Sequence, residues 1–262
     1  MARRRKLKEK IYELDIESLS HEGRGISHYD NKIIFTRGAL PGEQVIASRS
    51  LSRSKYEEAD MIEILKKSPD RIEAKCQVYG ICGGCSFQHL SSENQISVKE
   101  SWLKSAFMGQ AKSAPKRWLD PLQVDSWGYR RKARLGVRYV AKKEKVLVGF
   151  RERKSSFITV MSRCEVLHPS LGENLELLGE CIGKLSIKTH VPQIEVAIAE
   201  LDTILILRHL EPLTKEDKVI LKEYGDKLAI TWYTQSGGLD LSLIHISEPT
   251  RRYAISYAVF CL

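Results

Sequence analysis

The stretch Cys76-Gln77-Val78-Tyr79-Gly80-Ile81-Cys82-Gly83-Gly84-Cys85 constrains this chain more than any other. It places three cysteines in one short loop, spaced C-x5-C-G-G-C, and a fourth, Cys164, lies far downstream. Soft cofactors need several deprotonated sulfurs converging on one point, and a loop plus one distant residue can supply such a set. The two glycines let the backbone wrap closely and turn its N–H groups toward sulfur. Three readings stay open on spacing alone. An iron–sulfur cluster is favoured. A zinc site usually shows two C-x2-C knuckles, and only one is present. Buried structural cysteines are the bland reading. Disulfides are disfavoured because no secretory signal is seen.

At 262 residues the chain can hold one or two domains. No apolar run approaches the length of a membrane span, so no membrane association is expected. Residues 1–10 form a basic arm without a following apolar segment, which points to a cytoplasmic protein. The net charge of +9 favours a polyanionic partner. No Walker A, G-x-S-x-G or H-E-x-x-H motif is present, and no strand leads into a glycine-rich nucleotide turn. His21, His28, His89, His168, His190 and His209 lack ligand spacing and read as surface or internally satisfied residues.

Residues 11–70 read as a small β-barrel of the oligonucleotide-binding kind. Tyr12, Leu14 and Ile16 alternate with acidic residues, as a half-buried strand requires. Glu22–Gly25 reads as a turn, 32–35 and 44–47 as strands, and 56–64 as the source of the remaining strands. Residues 71–240 read as a mostly antiparallel α+β domain. Its first helix has Ser92 as N-cap, Gln95 completing a capping box, and a stripe of Ile96, Leu103 and Phe107 that calls for a core partner. It should end near Gly109. Strands are expected over 135–140, 146–151 and 157–161, with a hairpin at 142–145. An amphipathic helix carries Leu171, Leu175, Leu178, Ile182 and Leu185, with Cys181 half-buried beside the stripe. Strands at 194–198, 203–208 and 228–234 and a helix from Thr214 to Gly225 complete the pattern.

Residues 129–154 hold eleven Lys or Arg against two Glu, an excess equal to the net +9 of the whole chain. Arg130, Arg131, Lys132, Arg134 and Arg151 are the candidate RNA contacts. Guanidinium forks grip phosphates, and the interleaved Tyr129, Tyr139 and Phe150 suit stacking on bases.

Together the C-x5-C-G-G-C loop, Cys164, Tyr129-Arg130-Arg131-Lys132-Ala133-Arg134 and Gly149-Phe150-Arg151 resemble the bacterial 23S ribosomal RNA (uracil-5-)-methyltransferases. Gly38-Ala39-Leu40-Pro41-Gly42-Glu43 is similar to the signature of that family's TRAM barrel. The resemblance runs from residue 11 to about 240 and implies a central domain with a [4Fe–4S] cluster on Cys76, Cys82, Cys85 and Cys164. It also implies 23S ribosomal RNA as partner, a monomer, and S-adenosylmethionine bound by a third, Rossmann-like domain. There a cysteine adds to uracil C6 and a base removes the C5 proton.

The chain ends before that third domain, so no catalytic residue is assigned and the fragment is expected to be inactive. Residues 241–262 resemble a translated sequencing adapter, which sets Cys261 aside as a nucleophile. The alternative is a free-standing iron–sulfur RNA-binding protein without catalysis.

Overall fold

The computed structural model describes residues 10–111 and 113–236, and the backbone of Ser242–Leu243. Most of the basic arm, Cys261 and the rest of 241–262 lie outside the described residues. The molecule divides into two units. One comprises Met1–Gly80 with Cys85–Val124, the other Ile81–Gly84 with Asp125–Leu262.

In the first unit, strands β1 (Ile11–Asp15), β2 (Ser18–Leu19), β3 (Arg24–Tyr29), β4 (Lys32–Arg37), β5 (Gln44–Ser52) and β6 (Tyr56–Lys66) form one sheet. Their order is β1-β5-β6-β4-β3-β2. Only β4 and β6 run parallel, with Ile33 opposite Tyr56. Tyr12 and Leu14 of β1, Ile34 of β4, Val45 and Ala47 of β5 and Ala59 of β6 share one core, so the sheet curls on itself. Register shifts between β5 and β6 supply the bends that curling needs.

Four expectations are corrected here. Arg24 and Gly25 open β3 rather than ending a turn. Residues 56–64 make one long strand, not several. Helix α1 (Ser92–Ala106) is capped by Ser91, whose hydroxyl accepts from Asn94 N–H at 3.3 Å. Gln95 instead donates from Nε2 to the Phe87 and Leu90 carbonyls. No residue of α1 is fully buried; Ile96 is half-buried and Leu103 is 50% exposed, so its apolar stripe joins no core cluster of the described residues. A π-helical turn, Phe107–Ala111, ends the helix around Gly109. Trp102 ties α1 down, donating from Nε1 to the Leu19 carbonyl at 3.1 Å and packing on Phe87.

In the second unit, β7 (Lys132–Val140), β8 (Lys145–Gly149), β9 (Gln193–Ile198), β10 (Thr203–Arg208), β11 (Ile230–Gln235) and β12 (Ser242–Leu243) form a sheet ordered β12-β11-β10-β9-β7-β8. All pairs are antiparallel except β10 with β11. Helices α2 (Pro169–Gly172), α3 (Leu175–Lys184) and α4 (Lys215–Leu228) cover one face. The five stripe residues from Leu171 to Leu185 are all buried, but on two helices broken at Glu173 and Asn174. They meet Leu135, Val137, Val146, Val148, Ile194, Leu205 and Trp232 in the main core. Cys181 is fully buried rather than half-buried, and burial pushes its thiol up to about 12. Thr214 and Asp217 form a reciprocal capping box at α4, which runs through Gly225 to Leu228. Residues 157–161 form no named strand; an isolated bridge joins Arg151 to Ile158, with backbone hydrogen bonds on either side of it. The architecture is thus mixed α+β. No helix among the described residues is long and apolar enough to cross a membrane.

Candidate RNA-binding face and cysteine loop

On β7 the side chains alternate strictly. Ala133, Leu135, Val137 and Tyr139 turn to the helical core, while Lys132, Arg134 and Arg138 are exposed on the opposite face. Between the last two, Gly136 is a close-approach position: a Cβ there would sit 2.3 Å from Ile158 Cδ1. Arg138 belongs to the row by alternation, a signal present in the sequence but absent from the five candidates chosen on charge density. Arg134 pairs with Glu195 of the neighbouring strand at 3.5 Å, and its side chain stays 74% exposed. Arg131 is exposed and donates to the Ala199 carbonyl at 3.0 Å. Arg130 is half-buried, with its guanidinium 5.1 Å from the centre of the Phe150 ring. Lys188 lies likewise over Tyr139 at 5.1 Å. Two of the three aromatics expected to stack on bases are therefore occupied by cations of their own chain. Tyr129 is 58% exposed.

The cysteine loop is divided between the units. In the first, Cys76 N–H donates to Gln88 Oε1 at 3.1 Å, and Tyr79 N–H to the Cys76 carbonyl at 3.0 Å. The Tyr79 hydroxyl bonds to the Ser86 carbonyl at 2.7 Å and meets Nδ1 of buried His89. His89 is thus held inside the fold through Nδ1.

In the second unit, residues 81–83 run as an added strand beside 151–153. Cys82 bridges Glu152, Gly83 N–H donates to the Arg151 carbonyl at 2.9 Å, and Arg153 N–H to the Ile81 carbonyl at 2.9 Å. A Cβ on Gly83 would press on the Arg151 carbonyl at 3.0 Å, which explains the glycine. The Gly84 N–H donates to Cys82 Sγ, 3.4 Å away. Cys164 is half-buried beside the main core, its N–H on the Gly172 carbonyl at 2.8 Å. None of Cys76, Cys82, Cys85 and Cys164 is in a disulfide. Among the described residues, no three His, Cys, Asp or Glu side chains are gathered into a metal-holding group. What fits a soft cofactor is the chemistry of the donors: four thiols, with a peptide N–H directed at one of them.

The Gly38–Glu43 loop is built around a buried carboxylate. Glu43 accepts from Arg71 Nε at 2.5 Å and Nη2 at 2.7 Å, from Leu40 N–H at 2.8 Å and from Ser68 N–H at 3.3 Å. Burial pushes this carboxyl up, but the Arg71 bonds and the two peptide donors outweigh it and hold it below the ordinary carboxylate range. Arg71 also donates to the Gly38 carbonyl at 2.6 Å, closing the loop at both ends.

Comparison with known proteins follows this anatomy. Residues 5–47 match the TRAM domain. The chain is 64% identical over 250 residues to 23S rRNA (uracil(1939)-C(5))-methyltransferase RlmD of Vesicomyosocius okutanii, covering 95% of this chain and 57% of that protein. The protein of the same name from Nitrosococcus oceani is 45% identical, with 91% and 54% covered. That from Alkalilimnicola ehrlichii is also 45% identical; the match takes in 98% of this chain, so it runs past position 241, and 57% of that protein. Among solved structures, Pyrococcus abyssi tRNA (uracil-54, C5)-methyltransferase in complex with S-adenosyl-L-homocysteine shares the fold. It has a TM-score of 0.59 at 19% identity, covering 88% of this chain and 53% of that one. The chain spans a little over half the length of the curated relatives it matches.

Proposed function

We propose that this chain is the RNA-binding portion of an S-adenosylmethionine-dependent enzyme that methylates uridine C5 in 23S ribosomal RNA. The observation that carries the reading is the 64% identity to a protein of that name, sustained over 95% of the chain. The TRAM match and the exposed row Lys132, Arg134 and Arg138 support RNA as the partner. Residues 11–70 are the barrel and 71–240 the central portion in this reading, and the protein is cytoplasmic and monomeric.

Lys132, Arg134, Arg138 and Arg151 contact phosphates. Arg130 and Arg131 hold the entry to β7 through Phe150 and Ala199 and contribute charge. Cys76, Cys82, Cys85 and Cys164 hold a [4Fe–4S] cluster, whose role is structural. S-adenosylmethionine supplies the methyl group, and no described residue is assigned to bind it. The nucleophile and general base belong to the part of the relatives that this chain does not span. On its own the chain binds RNA without methylating it.

The RNA reading is tested by filter binding to a 23S ribosomal RNA fragment across a salt series. Lys132→Ala, Arg134→Ala and Arg138→Ala combined should weaken binding and flatten the salt slope by about one for each phosphate left unneutralised. Unchanged affinity and slope would sink it. The cluster is tested by anaerobic purification: iron and sulfide should both be present and both vanish in Cys82→Ser. Stoichiometric zinc without iron would replace the cluster with a zinc site.

A further inference from the structure

The hairpin after β8 holds an aromatic ring where a folded chain ordinarily hides one. Arg151 bridges Ile158, Glu152 N–H donates to the Phe157 carbonyl at 2.9 Å, and Thr159 N–H to the Phe150 carbonyl at 2.9 Å. Phe157 N–H is itself held by Ser155 Oγ at 3.0 Å, and Lys154 turns the chain in the left-handed region at φ 55°. Ile158 and Thr159 are 8% and 2% exposed, and Ile158 lies over Gly136. The backbone on both sides of Phe157 is pinned, yet its ring is 71% exposed. On the other edge, residues 81–83 pair with 151–153 and carry Ile81, 57% exposed. This edge carries Arg151, Arg153 and Lys154 against the single Glu152; Arg151 and Lys154 are exposed, while Arg153 Nε donates to the Cys82 carbonyl at 3.2 Å.

We propose that this three-stranded edge is a platform for an unpaired RNA nucleotide, with Phe157 as the ring on which its base stacks. Arg151 and Lys154 hold the flanking phosphates. The inference deepens the RNA-binding reading above and rests on it. The charge decides between partners: an apolar protein segment gains nothing from three cations, whereas a nucleotide carries both a flat π face and a phosphate. A continuous A-form duplex keeps its bases stacked inside, so a single exposed ring selects a loop or single strand. The rigid hairpin matters because a pre-positioned ring loses little freedom on binding.

The test uses the whole chain and a short single-stranded RNA carrying one fluorescent purine analogue whose emission falls on stacking. Wild type should bind and quench it. Phe157→Ala should bind roughly ten-fold more weakly and lose the quench, with the salt slope unchanged. Phe157→Tyr should restore both, and Lys154→Ala should instead flatten the salt slope. If Phe157→Ala binds and quenches like wild type, the platform is wrong while the RNA reading stands. If Phe157→Leu restores both as fully as Phe157→Tyr, the interaction is apolar rather than stacking and the proposal is overturned. If wild type binds no RNA, both readings fall together.

Discussion

The two sheets solve the same problem by different means. The curled sheet of β1 to β6 closes on eight buried apolar residues, three of them alanines. So small a core excludes little water, and buried ions supplement it. Glu43 is clasped by Arg71. Glu57 sits among Ser52 at 2.6 Å, Lys32 at 3.2 Å, Arg49 at 3.3 Å and the Tyr12 hydroxyl. The wider sheet packs a layer of leucine and isoleucine from α2 and α3 against five of its strands. Its buried carboxylate, Asp217, serves a helix cap and Ser186 rather than closing the sheet. The surface charges differ in the same way. In the curled sheet Arg24 pairs with Glu22 and Glu58, and Arg37 with Asp60. On β7 Arg134 pairs with Glu195, yet it, Lys132 and Arg138 all remain exposed. In the first unit carboxylates are buried with their cations, while on β7 the paired and neighbouring cations stay exposed.

That contrast breaks most sharply at Glu43. Glu43→Ala leaves the Arg71 guanidinium buried without its carboxylate and should cost about 3–5 kcal/mol. Peptide-resolved hydrogen exchange should show β1 to β6 opening while β7 to β11 stay protected. Equal loss in both units would mean that the ion lock is not local to the barrel. The reciprocal change is Leu178→Ala, which removes a fully buried side chain from the helical layer. It should cost about 2–5 kcal/mol, read as reduced protection in α3 and β8 with the curled sheet spared.

Much of this difference is legible in the chain, and the rest is hidden for physical reasons. Clean alternation identifies β1 and β9, because each has one wetter face and one dry face, whereas β10 is buried on both faces and reads as a short apolar run. Strand β3 escapes that test: its inward residues are Gly25 and Ser27, too small and polar to mark a core. Residues 157–161 mislead in the opposite direction, since only 157–159 pair, through one bridge to 150–152, and Ile158 and Met161 cap Gly136 and Gly149. Helix α1 carries an apolar stripe of which no residue is fully buried, and periodicity cannot report how deeply a stripe is covered. The Glu43–Arg71 lock joins residues 28 apart, a pairing that composition and spacing do not announce. At the candidate RNA face, charge density locates the strand. Only the fold separates Arg130, laid on Phe150, from the exposed row.

Acid sharpens the comparison with a smaller, graded effect. Burial pushes the Glu57 carboxyl up, but bonds from Ser52, Tyr12 and Lys32 outweigh it and bring it from 4.5 down to about 2. The folded value lies below the unfolded one, so the stabilisation is present above about 4.5 and is lost as pH falls toward 2. Glu43 acts in the same direction. The curled sheet should therefore open progressively across that interval, and Glu57→Gln should remove most of the dependence. Asp217, also lowered, gives the wider sheet a weaker version of the same loss. At the alkaline end burial, then Glu57, pushes Tyr12 up to about 12, so its contribution is present below 10 and lost above it. Tyr12→Phe should flatten the alkaline limb of the curled sheet alone, because Cys181 governs a similar limb in the other unit.

The smallest expected effect is a gain. Ala229 caps α4 in the left-handed region at φ 53°, with its N–H on the Gly225 carbonyl, and β11 begins at the next residue. An L side chain resists that conformation, whereas glycine adopts it freely. Ala229 is exposed, so deleting its methyl forfeits almost no burial. Glycine also loosens the unfolded chain, which offsets part of the benefit. The balance for Ala229→Gly should be a stabilisation of about 0.5–1 kcal/mol, confined to the wider sheet and visible as slower exchange in α4 and β11. A loss of stability would show that packing of the methyl group holds the strained cap. In that case the junction between α4 and β11 would be packed more like the curled sheet's loops, where specific contacts override backbone preference, than like an open helix end.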